Sequence, residues 1–149
     1  MSPKLQKHQL DAWRALLRGQ ALLLERVERD LAAADLPPIG WYDVLTELDK
    51  APGGRLRIHE LAEAVILSRS GLSRLLDRLG AAELLRREPC DDDRRGAYAV
   101  ITAAGRRTLA DMWPVYERAL AEHFAPQVGS AEARTMRSAL DAVSKSVKG

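Results

Sequence analysis

The sequence predicts a mainly α-helical protein with a small β-hairpin wing: a winged helix-turn-helix flanked by N- and C-terminal dimerisation helices. Three observations predict it. Leu and Ala dominate a chain of 149 residues that is 46% hydrophobic and only 5% aromatic, a balance that favours helices. Between Leu56 and Thr102, two short helical patterns separated by a turn are followed by an arginine-tipped hairpin. That order suits one helix in a DNA major groove and a wing beside it. On either side run longer helices whose apolar faces suit the pairing of two copies of the chain.

Residues 8–34 read as one long helix. Leu10, Leu17, Leu24 and Leu31 recur every seven residues, with Trp13, Gln20 and Val27 at the intervening positions. Leu16, Leu22 and Leu23 widen the apolar face, so the helix needs two buried sides. One would cover its own domain and the other a partner chain; a wholly intramolecular core helix is the competing reading. Pro37 and Pro38 stop the helix. Residues 41–50 form a short helix with Val44, Leu45 and Leu48 inward, ended by Pro52, Gly53 and Gly54. Leu56, Arg57 and Ile58 have strand character but are too few to establish a strand by themselves.

The first helix of the motif covers 59–65, with Leu61, Ala62 and Val65 inward; Ile66 and Leu67 make the turn. Ser68 is an N-cap for the second helix, and Leu67 with Leu72 occupy the positions of a hydrophobic staple. Leu72, Leu75, Leu76 and Leu79 form its buried stripe, leaving Arg69, Ser70, Ser73, Arg74, Asp77 and Arg78 outward. Donors and short hydroxyls in the N-terminal half of a helix are what base edges and phosphates require. Gly71 permits close approach of a backbone or a phosphate. Asp77 is expected to steer Arg74 or Arg78, since a carboxylate facing phosphate would repel it.

Residues 84–88 and 97–102 pair as strands, with Tyr98 and Val100 on one face and Ala97, Ala99 and Ile101 on the other. The tip carries Arg94 and Arg95, suited to a narrow minor groove. Of Asp91, Asp92 and Asp93, at least one is expected to hold a wing arginine; a divalent metal is the competing reading, and no further ligand set accompanies it. Thr102 caps a helix reaching about residue 124, along which Leu109, Met112, Trp113, Tyr116, Leu120 and Phe124 follow helical spacing. Pro114 inside it should kink or break it. After a linker at 126–129, Ser130 caps a last helix with Met136, Leu140, Val143 and Val147 on one face.

The net charge of +2 is near neutral and does not by itself argue for nucleic acid. Its distribution says more: from Arg55 to Arg107 every Lys-or-Arg position is Arg, the residue suited to bidentate guanine and phosphate contacts. Solubility and helical pairing are the bland account of any one of them. Cys90 stands alone, which excludes an intramolecular disulfide or a Cys-based metal framework and fits a reducing cytoplasm. No apolar run reaches the roughly 18 residues of a spanning helix, and no signal-peptide core is present, so a cytoplasmic protein without membrane contact is expected. There is no phosphate-binding Gly loop and no metal-ligand spacing, and His8, His59 and His123 are scattered. The reading is therefore not an enzyme, with no catalytic residue, metal or cofactor.

The run Ser68-Arg69-Ser70-Gly71-Leu72-Ser73-Arg74-Leu75-Leu76-Asp77-Arg78-Leu79, followed by Asp93, Arg95, Ile101, Thr102 and Gly105, carries a resemblance. The second set matches the pattern D-x-R-x(5)-L-T with Ile in place of Leu. On these residues the chain resembles the MarR family of winged-helix transcriptional regulators over nearly its whole length. The resemblance implies one domain over 1–149, with dimerisation helices at 8–34 and 103–147 and a DNA-binding lobe at 41–102. It implies Arg69, Ser70, Ser73 and Arg74 at the major groove and Arg94 and Arg95 at the minor groove; Arg78, outward on the same helix, joins them. Members usually repress, and usually bind a small, often aromatic or phenolic, effector between the dimer helices and the DNA-binding lobe. One branch senses peroxides through a Cys on the first helix, which this chain lacks; Cys90 reads as an incidental wing thiol.

The expected function is a homodimeric, sequence-specific transcriptional regulator, a repressor released by a small phenolic or aromatic effector. Its partner is double-stranded DNA with a pseudo-palindromic operator, half-site centres lying about 10 base pairs apart. His8, Trp13, Trp41, Tyr42 and His59 are candidate effector residues, with ordinary core packing as the competing account of each. The alternative is a winged-helix protein–protein interaction module without specific DNA binding. Steep salt dependence of DNA binding separates the two.

Overall fold

A computed structural model of the chain describes residues 2–65, 69–90 and 96–149. The expected turn at Ile66 and Leu67, the Ser68 cap, the Leu67 staple, Asp91 to Asp93 and the wing residues Arg94 and Arg95 lie outside the described residues. Of Arg69 only the backbone is described. The elements in order are α1 (Lys7–Ala33), α2 (Ile39–Lys50), β1 (Arg55–Arg57), α3 (Ile58–Ala64), α4 (Arg69–Ala81), β2 (Leu85–Pro89), β3 (Ala97–Ile101), α5 (Ala103–His123) and α6 (Ser130–Lys148). The mainly helical class with a small antiparallel sheet is as the sequence predicts. The chain divides into two compact units, Leu24–Tyr116, and Met1–Leu23 with Glu117–Gly149.

The central unit is built on one apolar cluster. Val44, Leu45 and Leu48 of α2, Leu61 and Val65 around α3, Leu72, Leu76 and Leu79 of α4, and Leu84, Leu85, Ala99 and Ile101 of the sheet region are all buried in it. The helical members follow a period of about 3.6, and Ala99 and Ile101 of β3 the strand period of two. The brief strand left open by the sequence is real, because β1 pairs antiparallel with β3 at Arg55–Val100, Leu56–Ala99 and Arg57–Tyr98. It makes the sheet three-stranded, in the order β1-β3-β2. Pro89 is accommodated at the end of β2, an edge strand, opposite Ala97.

Local chemistry explains the helix ends. α1 and α4 both close in Schellman turns. Leu36 N donates to Leu31 O at 2.9 Å after α1, and Leu84 N to Leu79 O at 3.0 Å after α4. The left-handed residues there are not glycines but Asp35 (φ 56°) and Glu83 (φ 62°). α2 begins after Pro38, which has no side chain able to cap it. Glu28 of α1 supplies the acceptor instead, taking the Ile39 N–H at 2.6 Å. Thr102 caps α5 as expected: its Oγ1 accepts from Gly105 N at 3.0 Å and donates to Glu83 O at 2.7 Å. A Cβ at Gly105 would run into the Leu84 carbonyl oxygen, so only glycine lets α5 start this close to the turn after α4.

One boundary differs from expectation, and one is narrowed. Of the kink or break expected at Pro114, the break does not occur: α5 runs through it from Ala103 to His123, the ring removing one backbone donor. Gly129, not Ser130, is the cap residue of α6, and Glu132 Oε1 accepts the Gly129 N–H at 3.4 Å. Ser130 is already the first helical residue.

The terminal unit leaves much apolar surface open. Trp13, Leu17, Leu22, Val143 and Val147 are exposed, Trp13 at 54% and Val147 at 82%. Met136 and Leu140 of α6 are half-buried. Among the described residues no helix is long and apolar enough to cross a membrane.

Candidate nucleic-acid interface

The second helix of the motif is α4 (Arg69–Ala81). Leu72, Leu76 and Leu79 are buried on one side, with Leu75 half-buried beside them. Helical geometry then turns Ser70, Ser73, Arg74, Asp77 and Arg78 outward, and all five are exposed. Arg69 opens the helix. Among the described residues neither Arg74 nor Arg78 forms an ion pair.

Asp77 corrects one expectation. It does not pair within its own helix; Arg87 Nη2 donates to its Oδ1 at 2.8 Å. Strand alternation is the reason. On β2, Leu85 and Arg87 share a face, and Leu85 is buried in the core shared with α4. The face that inserts Leu85 therefore presents Arg87 to the helix. The bridge ties the outer side of α4 to the wing strand and occupies the one carboxylate on that side.

The opposite face of the sheet carries Arg55, Arg57, Tyr98, Val100, Arg86 and Glu88 in cross-strand register. Arg55 lies over the Tyr98 ring, 4.4 Å from its centroid, and Arg57 lies 5.8 Å from it. Glu88 takes Arg86 at 2.9 Å and Arg55 at 3.9 Å. The Arg57 guanidinium is held above its already high range, first by hydrogen bonding to Tyr98 and then by its charge. Sequence reasoning missed this face, because only β1 pairing brings Arg55 and Arg57 to Tyr98. Cys90 is buried and unbridged, closing the foot of the wing through its backbone N–H to Gly96 O at 3.4 Å.

The five candidate effector residues are distributed over both units. His8 and Trp13 are exposed in the terminal unit. In the central unit His59 is exposed on α3, and Trp41 packs against the apolar core. Tyr42 joins two aromatic residues the sequence reading placed only on a helical stripe. Its ring is 6.2 Å from Trp113 and 5.3 Å from Tyr116, and Trp113 is 5.8 Å from Tyr116. Beside it the Asp43 carboxyl is pushed up, first by desolvation and then by Glu47 and Glu28, although the residue as a whole is solvent-facing. The Tyr116 hydroxyl is pushed up by burial, then by Asp43 and Tyr42. A separate open cleft of about 370 Å³, lined by Glu47, Lys50, Pro52, Leu56, Glu60 and Glu63, includes none of the five. No metal-binding cluster of His, Cys, Asp or Glu occurs among the described residues.

A helix-turn-helix followed by a sheet wing is the architecture of winged-helix DNA-binding proteins. The model of the MarR family matches residues 34–96. AbsC, a MarR family transcriptional regulator from Streptomyces coelicolor, is 31% identical, with 99% of each chain covered and a TM-score of 0.86. Sco3205, a MarR family regulator from the same organism solved in complex with DNA, is 26% identical over 100% of this chain and 93% of its own, with a TM-score of 0.89. BpsR from Bordetella bronchiseptica, whose DNA binding is regulated by 6-hydroxynicotinic acid, shares the fold at 20% identity, covering 90% of this chain and 98% of its own with a TM-score of 0.76. Comparison with curated protein sequences gives no match. The chain belongs to the MarR family of transcriptional regulators.

Proposed function

We propose that the protein is a cytoplasmic, homodimeric repressor that binds a pseudo-palindromic operator and is released by a small aromatic effector. The observation that carries the DNA reading is the outer side of α4. Arg74 and Arg78 stand exposed without ion pairs among the described residues, while the intervening carboxylate, Asp77, is already taken by Arg87. Arg69, Ser70, Ser73, Arg74 and Arg78 then meet the major groove, and Arg94 and Arg95 the minor groove. The Sco3205 complex with DNA supports this use of the fold. Residues 41–102 are the DNA-binding lobe, and 8–34 with 103–147 pair the protomers. The exposed Trp13, Leu17, Leu22, Val143 and Val147 support that pairing, since they represent apolar surface still to be covered.

An effector acts by preferring one separation of the two reading helices, and shifts the equilibrium only by its differential affinity for the two states. The effector-regulated relative BpsR supports a response of this kind. The DNA assignment is tested by Arg95→Ala and Arg74→Ala, with circular dichroism confirming the fold. Each is expected to lower operator affinity, Arg74→Ala by about 1–3 kcal/mol if it reads a base. An Arg95→Ala protein that binds as tightly as wild type would remove the wing from the interface.

A further inference from the structure

We propose that the outward face of the three-stranded sheet, carrying Arg55, Arg57 and Arg86, is a second DNA-contacting surface that holds phosphates of the duplex flanking the operator. The proposal rests on the DNA-binding reading above and extends it beyond α4 and residues 91–95.

The strand register builds the face as a grid. Arg55 of β1 and Arg86 of β2 are both paired with Val100 of β3, and Arg57 and Glu88 are both paired with Tyr98. All six side chains therefore leave the sheet on one side, opposite to Leu56, Leu85, Ala99 and Ile101. Val100 is buried between its two arginines. The Tyr98 ring is covered by Arg55 at 4.4 Å, with Arg57 at 5.8 Å. The grid thus offers guanidinium groups and no open apolar anchor of the kind on which a protein interface is centred.

Its carboxylates do not neutralise it. Glu88 lies 2.9 Å from Arg86 and 3.9 Å from Arg55, and Glu60 lies 3.8 Å from Arg57, so three guanidiniums share two carboxylates. Arg55 and Arg86 are 49% and 58% exposed, and pairs this open to water hold weakly. Each guanidinium has five donors, most of them left for an outside acceptor. A phosphodiester oxygen pair matches the planar fork. A flat sheet gives a single small anion no enclosure, so the repeating anion of a nucleic-acid backbone is the better match.

Position selects the phosphates. β2 and β3 lead into residues 91–95, the segment proposed to enter the minor groove. The five residues of β2 span about 17 Å, equal to about five base pairs of duplex. The face is set back by that distance and meets backbone outside the base pairs that are read.

The test is fluorescence anisotropy of the full-length protein on two duplexes of one length and sequence. Both carry a site selected from a random pool, with flanks of about ten base pairs, one helical turn. In one the flank linkages are phosphodiesters; in the other they are uncharged methylphosphonates. The charged duplex is expected to bind about tenfold more tightly, with a salt slope steeper by about two units, one for each protomer of the proposed dimer. Arg55→Ala combined with Arg86→Ala removes that difference by weakening the charged duplex alone. Glu88→Gln frees two guanidiniums from their shared carboxylate and tightens the charged duplex by about threefold, a gain that a damaged fold does not produce. Equal affinity for the two duplexes, or a loss in the double variant that is the same on both, overturns the proposal and leaves the DNA reading standing. No specific binding to either duplex overturns both.

Discussion

Arg87 of β2 donates through Nη2 to Oδ1 of Asp77 on α4 at 2.8 Å, joining the second helix of the motif to the wing strand ten residues later in the chain. Both side chains are substantially exposed, 47% and 66%. Such a pair stabilises the fold little, by about 0.2–1 kcal/mol. Its consequence is geometric: it links the outer side of α4 to β2. A double-mutant cycle of Asp77→Ala and Arg87→Ala is expected to give a coupling within that range in thermal unfolding, shrinking with added salt. A salt-insensitive coupling above about 2 kcal/mol would show that the pair is shielded from solvent in the working protein.

Gly105 is expected to be intolerant of any side chain. A Cβ there meets the Leu84 carbonyl oxygen and the Ile101 side chain. Gly105→Ala should cost about 1–3 kcal/mol in denaturant unfolding, through overpacking between α5 and the turn. An unchanged unfolding midpoint would mean that α5 starts further from Leu84.

Glu83 offers the opposite case. It holds φ 62° at the end of α4 without being a glycine. Glu83→Gly removes the left-handed penalty at a site where the backbone already has that shape, and is expected to stabilise by about 0.5–1 kcal/mol. Destabilisation would show that the Glu83 side chain makes a contribution larger than the strain.

Asp43 yields a pH-dependent prediction. Its folded pKa lies above the ordinary 3.8, so the folded chain holds the proton more tightly than the unfolded chain. The charged form is therefore a penalty on stability, fully present above the raised folded value and gone below the ordinary one. Asp43→Asn should raise the melting temperature at neutral pH by a small amount, within the roughly 0.5 kcal/mol typical of solvent-facing substitutions. The gain should fade as pH falls through the ordinary carboxylate range. A variant less stable than wild type at neutral pH would contradict the direction.

What was legible in the sequence was local or periodic. The Leu72, Leu76 and Leu79 stripe, the Val44, Leu45 and Leu48 face and the Thr102 cap needed only spacing and one side-chain acceptor. The Asp77 partner was hidden because it depends on which face of β2 enters the core. β1 was undecidable from three residues, since its partner, β3, lies about forty residues further on. Tyr42 was selected as an aromatic residue, but its cluster joins α2 to α5 and has no sequence signal beyond the stripe that carries Trp113 and Tyr116. The exposed α4 positions were readable by elimination from the buried ones.

Specific DNA recognition by the winged helix is measured by selecting a duplex from a random pool and following fluorescence anisotropy of its complex across salt concentrations, with and without excess random DNA. Binding that survives the competitor and weakens steeply with salt is expected, with a slope about one unit shallower for a variant lacking a single phosphate-contacting arginine. Weak binding equal for every duplex, or binding insensitive to salt, would contradict it and assign the winged helix to a protein partner.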